Sequence, residues 1–331
     1  MSPGLANSLV FTSPRGADDA LIRAFKSLSD EARVRILYIL SLGDFSVNEI
    51  VEILSMGQSS VSRHLKILTE AGFLNFRREG SWVYYSLRRD DFKAAIELTD
   101  IILKYKNDLP FREVDQRNSI SILKKRELRS RKFFDDLGQS WEKVQEEVLE
   151  PRIYRDRVVQ SLPAHSAMVL DLGCGPGGLI PYLLTKADQV VGLDSSARMV
   201  EVAKQEFIGN SRVRIEEAHL ENLPIGDGEA DSVVASMVLH HLSHPPKVIQ
   251  EINRVLRIGG TFSLVDLSKH NQEFMREKYA DLWMGFDTDL MESWLVSHGF
   301  EILEEEEIPT NSVFKILFIK AKKKEDINVR N

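Results

Sequence analysis

A ten-residue run from Val169 to Gly178, VLDLGCGPGG, constrains this chain more tightly than any other segment. It is followed by a second apolar run, Val190 to Leu193, that stops on Asp194. A buried strand that enters a glycine-rich turn and then opens a helix, with a carboxylate at the tip of the next strand, is the layout of a nucleotide-like pocket. Glycines let backbone approach a ligand, and the distant acid can hold a ribose diol. Gly173, Gly175 and Gly178 spell GxGxxG, and Asp194 lies 21 positions past Gly173, so spacing alone permits a dinucleotide. Asp171 argues against one. A carboxylate two residues before the first glycine would repel a pyrophosphate at the helix N-terminus and would welcome a cationic ligand.

The segment DLGCGPGG resembles the first motif of class I S-adenosylmethionine methyltransferases. The resemblance implies that S-adenosylmethionine is the cofactor, that Asp171, Gly173 and Gly175 lie by its methionine moiety, and that Asp194 and Ser195 lie by its ribose. A second stretch, Glu221 to Leu267, resembles the later half of the same pattern, placing Leu220 and Met237 at the cofactor as well. Where the family often has an acid for the adenine amino group, five residues before Pro224, this chain has His219; Leu220 beside it offers a backbone amide. Strands and helices alternate from Val213 onward, which implies a parallel sheet with helices on both faces and ligands at the strands' carboxyl ends. Ile302 to Ile308 and Val313 to Ile319 then read as a closing antiparallel pair, which fits a methyltransferase sheet and not a plain dinucleotide one. The expected fold is therefore α/β, a doubly wound, mostly parallel, Rossmann-like sheet behind an N-terminal winged helix-turn-helix domain.

That first domain is read from its caps and periods. Apolar residues from Ala17 to Gly43 recur at three and four with a break at Ser29 and Asp30. Ser46 caps a short helix ending at Leu54, Met56 and Gly57 turn the chain, and Gln58 to Ala71 makes a second helix. Phe73 to Arg78 and Ser81 to Leu87 alternate around Glu79 and Gly80 as a hairpin. The formal net charge is −7, yet six basic residues face two acids between Gly57 and Arg89. Such a local surplus is a pattern to test for DNA contact. Gln58, Ser59, Ser62, Arg63 and Lys66 share one polar helix face suited to a major groove, and Arg77 and Arg78 would reach phosphates. The pattern KSLSDEARVRILYIL, QSSVSRHLKILTEAGFL, RREGSWVYYSL resembles ArsR-type winged-helix regulators. It implies a double-stranded DNA operator as partner and a homodimer paired through the helix Asp90 to Lys106. The helix that often carries metal-binding cysteines in that family here reads Phe45, Ser46, Val47, Asn48, so thiolate sensing does not carry over.

Residues 1–106 are thus expected to form the winged helix-turn-helix domain, 107–125 a linker around Pro110, 126–320 the methyltransferase domain and 321–331 a flexible tail. Helical patterning resumes from Ser119 to Gln160, with Phe133, Phe134, Leu137, Trp141, Val144 and Val148 on one stripe. No stretch approaches the roughly 18 apolar residues of a membrane span, and Met1 to Gly16 lacks a basic region followed by an apolar core. The chain is therefore expected in the cytoplasm, away from membranes. One cysteine, Cys174, excludes an internal disulfide or a thiolate zinc site. It also excludes arsenite methylation, which by resemblance needs several cysteines.

Methyl transfer needs proximity, orientation and sometimes a base. His240 and His241, just past the fourth strand, are the candidate catalytic residues, with Asp266 and His270 behind them as bases or substrate ligands. His240, His241 and His244 suggest a metal cluster, but adjacent histidines point in different directions, so no metal is expected. Tyr279, Trp283 and Phe286 form an aromatic stripe on a helix read from Glu273 to Phe286. Its WMGF is shared with fusions of an ArsR-type domain to a methyltransferase. The expected function is a DNA-binding regulator whose C-terminal domain methylates a small molecule. The alternative is a non-catalytic repressor that senses S-adenosylmethionine or S-adenosylhomocysteine.

Overall fold

The computed structural model describes residues 17–89, 92–138 and 148–325. Expectations placed on Asp90, on Trp141 and Val144, on the first 16 residues and on the tail beyond 325 lie outside the described residues. The chain divides after Ile122 into two compact units.

In the first unit, α1 (Ala17–Leu28) and α2 (Glu31–Leu40) are separated where the break was read, because Asp30 caps α2 by accepting from the Arg33 N–H. A two-residue strand, β1 (Phe45–Ser46), leads into α3 (Val47–Leu54). There Ser46 and Glu49 exchange side-chain and backbone hydrogen bonds in a full capping box. Ser55 takes a left-handed conformation, φ 53°, that ends α3, and Gly57 starts α4 (Gln58–Glu70). The hairpin β2 (Leu74–Glu79) and β3 (Trp82–Leu87) turns at Gly80, φ +59°, and the sheet order is β1-β3-β2. Phe45, Ile50, Val61, Leu65, Leu68 and Phe73 are buried under it. A helix-turn-helix with a β wing results, followed by α5 (Lys93–Lys104).

The division between the units falls inside the segment expected as a linker, 107–125, and most of that segment is helical. Arg112–Leu137 is one 26-residue helix, α6, so residues 112–125 are helical. Its apolar period is faint because polar groups anchor it: Asp115, fully buried, forms a two-pronged pair with Arg35 at 2.7 and 2.8 Å, and Asn118 donates to the Ile53 carbonyl.

The second unit contains α7 (Pro151–Ser161), β4 (Ser166–Leu172), α8 (Ile180–Leu183), β5 (Ala187–Asp194), α9 (Ala197–Glu206), β6 (Val213–Glu217) and β7 (Ala230–Ser236). It continues with α10 (Pro245–Val255), β8 (Leu256–Leu267), α11 (Phe274–Lys278), α12 (Thr288–Ser297), β9 (Phe300–Pro309) and β10 (Lys315–Lys323). Strand order is β6-β5-β4-β7-β8-β10-β9, with β10 antiparallel to both neighbours and the other described pairs parallel. Along β4 and β5, successive residues fall alternately into two cores: Leu170, Leu172, Val191 and Leu193 into one, Val169 and Val190 into the other. Burial on both faces is what a doubly wound sheet requires. The chain leaves β4 toward β6 and returns to β7 on β4's other side, so the crevice opens at the carboxyl ends of β4 and β7.

Two boundaries differ from the sequence reading. Ala321 to Lys323, expected in the tail, pair with β8 or β9. The helix read from Glu273 to Phe286 stops at Lys278, because Ala280 and Gly285 take left-handed φ values of 59° and 68°. Trp283 and Phe286 are core residues packed edge-to-face with Trp294, not a helical stripe.

Candidate active site and nucleic-acid face

A cleft opens where β4, β5 and β7 end. Asp171, Gly173, Gly175, Asp194, Ser195, Leu220 and Met237 all line it, together with Tyr154 and Arg155 of α7 and Phe134 of α6. The turn after β4 is fixed from β5. The Leu193 carbonyl accepts the Gly173 and Cys174 N–H groups at 2.7 and 3.1 Å, while Asp194 accepts the Gly175 and Ser196 N–H groups at 2.9 and 2.8 Å. Gly173 sits at φ +67°, and a Cβ there would lie 2.3 Å from the Val238 side chain, so only glycine fits. Met237 also holds a positive φ, 54°, on the cleft wall; strained backbone of this kind clusters at functional sites.

Asp171 is 2% exposed, and its Oδ2 has no hydrogen-bond partner among the described residues. Burial, reinforced by the nearby Asp194 charge, pushes its carboxyl up to about 7. Asp194 is also raised by burial, against hydrogen bonds from the Ser196, Gly175 and Ser195 backbone that favour its charged form.

His219 does not line this cleft. It is 54% exposed, with Nδ1 2.8 Å from Glu127 and Nε2 3.1 Å from Arg131, in a neighbouring hollow that shares Ser195 and Leu220 with the cleft. Its ring nitrogens face α6 rather than the cleft; the sequence reading missed Glu127 and Arg131 because they lie about 90 positions upstream on that helix.

A second cavity adjoins the cleft and shares Tyr154, Met237 and His241 with it. Val148, Leu149, Leu267, Met275 and Tyr279 give it apolar walls, and His240, His241 and Asp281 give it one polar wall. The histidines sit on a short 3-10 turn, Leu239–His241. Contrary to expectation they do not diverge: their rings lie 4.0 Å apart, and both face Asp281. His240 Nδ1 meets Asp266 Oδ1 at 2.5 Å, and Asp266 also accepts the Leu239 and Leu267 N–H groups. Burial pulls His240 down, but Asp266 and Asp281 outweigh it and hold its pKa at about 9. Burial and the His240 charge keep His241 well below its ordinary value. The sequence offered either histidine as a proton acceptor; these shifts leave His240 protonated and His241 neutral near neutral pH. His270 lines neither cavity: its Nδ1 accepts the Gln272 N–H, its ring packs edge-to-face with Phe314, and burial lowers it to about 4.

On the first unit, Gln58, Ser59, Ser62, Arg63 and Lys66 are all exposed along α4, and Arg78 is exposed on the wing. Arg77 is not available for phosphate. Its guanidinium pairs with Asp44 and Glu79 and stacks over the Tyr84 ring at 4.9 Å, leaving the side chain 19% exposed. Among the described residues no helix is long and apolar enough to cross a membrane.

A winged helix-turn-helix unit and a class I methyltransferase fold are therefore present in one chain. Residues 30–75 match the bacterial regulatory protein arsR family, and residues 170–264 match a methyltransferase domain. The chain joins an ArsR-type winged helix to a class I methyltransferase domain. It is similar to an uncharacterized methyltransferase of Synechocystis sp., 39% identical over 103 residues, covering 30% of this chain and 47% of that protein. It is also similar to a malonyl-[acyl-carrier protein] O-methyltransferase of Enterobacter lignolyticus, 30% identical over 125 residues, covering 38% and 49% respectively. The chain thus spans about half the length of these curated relatives. The fold is shared with a chain of the complex between the Haloferax volcanii Trm112 methyltransferase activator and a candidate methyltransferase. The TM-score is 0.51 at 20% identity, over 58% of this chain and 98% of that one.

Proposed function

We propose that the second unit binds S-adenosylmethionine and transfers its methyl group to a small molecule, and that the first unit binds a double-stranded DNA operator. The observation that carries this reading is the buried, unpartnered carboxylate oxygen of Asp171 facing a glycine-walled cleft. Burying a carboxylate without a partner is costly unless the ligand brings the positive charge. An adenosyl ligand with an ammonium and a sulfonium does so. The other residues fit the rest of it: Arg155 can meet a carboxylate, Asp194 keeps lone pairs for ribose hydroxyls, and Met199 and Leu220 give apolar surface for a base.

The bound cofactor supplies an electrophilic methyl group, and the protein's share is orientation. Asp171 and Asp194 fix the two ends of the cleft, and Tyr154 and Met237 form the partition with the second cavity. The methyl acceptor that suits that cavity has an apolar body and one polar head directed at His240, His241 and Asp281. Thermal unfolding with S-adenosylmethionine at 100 times its dissociation constant is the test: stabilisation of the second unit by about 2.7 kcal/mol is expected. No shift with either S-adenosylmethionine or S-adenosylhomocysteine overturns the reading.

A further inference from the structure

We infer that His240, His241 and Asp281 form a binding site for one divalent first-row transition-metal cation, open toward the second cavity. Three observations converge on it. First, Asp266 takes the Nδ1 edge of His240, so Nε2 is the atom turned to Asp281, at 3.8 Å from Oδ1; His241 Nδ1 lies 3.6 Å from the same oxygen. One ligand atom from each of the three residues falls within a 4.8 Å span. Donors around a tetrahedral ion with bonds of about 2.0–2.1 Å stand roughly 3.3 Å apart, so closure needs only small side-chain shifts. Second, both Asp281 oxygens are buried and have no hydrogen-bond partner among the described residues. The charge that faces this carboxylate is the His240 imidazolium, 3.8 Å from Oδ1 and beyond hydrogen-bond distance; a metal ion would displace its Nε2 proton and take both groups as ligands. Third, the loop that carries Asp281 is pinned where a ligand must be. The Leu282 and Trp283 N–H groups both donate to the His240 carbonyl, at 2.9 and 3.0 Å, behind the left-handed turn at Ala280.

Two imidazoles and one carboxylate favour a transition ion such as Zn²⁺, Co²⁺ or Fe²⁺ over Mg²⁺ or Ca²⁺. A carboxylate behind a ligating histidine is the usual support for such a bond, and Asp266 occupies that place. Three protein ligands leave a coordination position facing the apolar cavity, the arrangement of catalytic rather than structural metal sites. Resting on the methyl-transfer reading, that position would take the polar head of the acceptor. A hydroxyl ligated there is acidified, its proton passes to solvent, and its oxygen bonds the methyl carbon as the carbon–sulfur bond breaks toward sulfur.

The test uses the full chain, stripped with chelator and titrated with Co²⁺ while its visible ligand-field absorbance is followed. Saturation at one equivalent, reversal by Zn²⁺ and indifference to excess Mg²⁺ are expected. Asp281→Asn and His241→Gln should abolish the absorbance, and Asp266→Asn should weaken binding about 10- to 100-fold. A cooperative thermal unfolding transition in each variant serves as the control for folding, and if Asp281→Asn fails it, His241→Gln gives the same readout. No saturable absorbance, or unchanged binding in a folded Asp281→Asn or His241→Gln chain, overturns the inference. Cobalt binding needs no adenosyl ligand. Metal binding without S-adenosylmethionine binding therefore overturns the methyl-transfer reading alone, and the reverse result overturns the metal site alone.

Discussion

Asp171 is a carboxyl whose surroundings favour its neutral form until a cation arrives. Its pKa of about 7 lies above the ordinary value near 3.9, so the ligand-free fold binds more protons here than the unfolded chain between those values. The neutral carboxyl is therefore the better tolerated state, and this site's contribution to stability falls as pH rises through that window. Asp171→Asn is expected to stabilise the ligand-free second unit at pH 8 by on the order of 2 to 4 kcal/mol, and hardly at all at pH 4. Urea unfolding at the two pH values checks this; equal effects contradict it. A cationic ligand reverses the preference. Affinity for S-adenosylmethionine should climb with pH up to about 7 in the native sequence, and that climb should flatten in Asp171→Asn. Asp171 and Asp194 were legible in the sequence because one lies where an apolar strand run enters a glycine turn and the other ends the next apolar run. Asp281 was not, since it follows His240 by 41 positions and reaches it through an irregular loop with no period to read. Nor can a run of arginines reveal that Arg77 is held by Asp44 and Glu79 while Arg78 stays exposed.

Among elements, α4 and its wing divide the basic residues into exposed ones and one, Arg77, held in ion pairs. Arg63→Ala is expected to weaken operator binding by about 1–3 kcal/mol, as loss of a base contact does. Arg78→Ala should lower the salt dependence by about one phosphate contact. Arg77→Ala should instead lower the stability of the first unit. Mobility shifts across a salt series separate the three; an Arg77→Ala effect on the salt slope with no loss of stability contradicts the assignment. Caps and apolar periods made α1 to α4 and the hairpin readable. The start of α6 was hidden because what holds it is the Arg35–Asp115 pair rather than an apolar stripe. Asp115→Ala, which leaves Arg35 mostly buried without its partner, should cost the first unit about 3 kcal/mol by denaturant unfolding. A change under about 0.5 kcal/mol contradicts that anchoring.

The whole molecule combines two units of different chemistry, and the sheet order explains where chemistry can occur in the second. Ligand-facing residues gather at the switch between β4 and β7, and the β8–β10–β9 edge completes the sheet. The alternation of strand and helix and the closing antiparallel pair were visible in the sequence, because β4, β5, β7, β8 and β10 each carry a short apolar run. The second cavity was not, since its walls come from α7, the Met275 to Asp281 segment and the ends of β7 and β8, which only the fold assembles. The most direct test of the account is a calorimetric titration of the full chain with S-adenosylmethionine, beside Asp171→Asn, at pH 7.5. One site per chain, with affinity at least 10-fold weaker in the variant, is the expected result. No binding by the native chain, or equal binding by both, would contradict the cleft as an adenosylmethionine site.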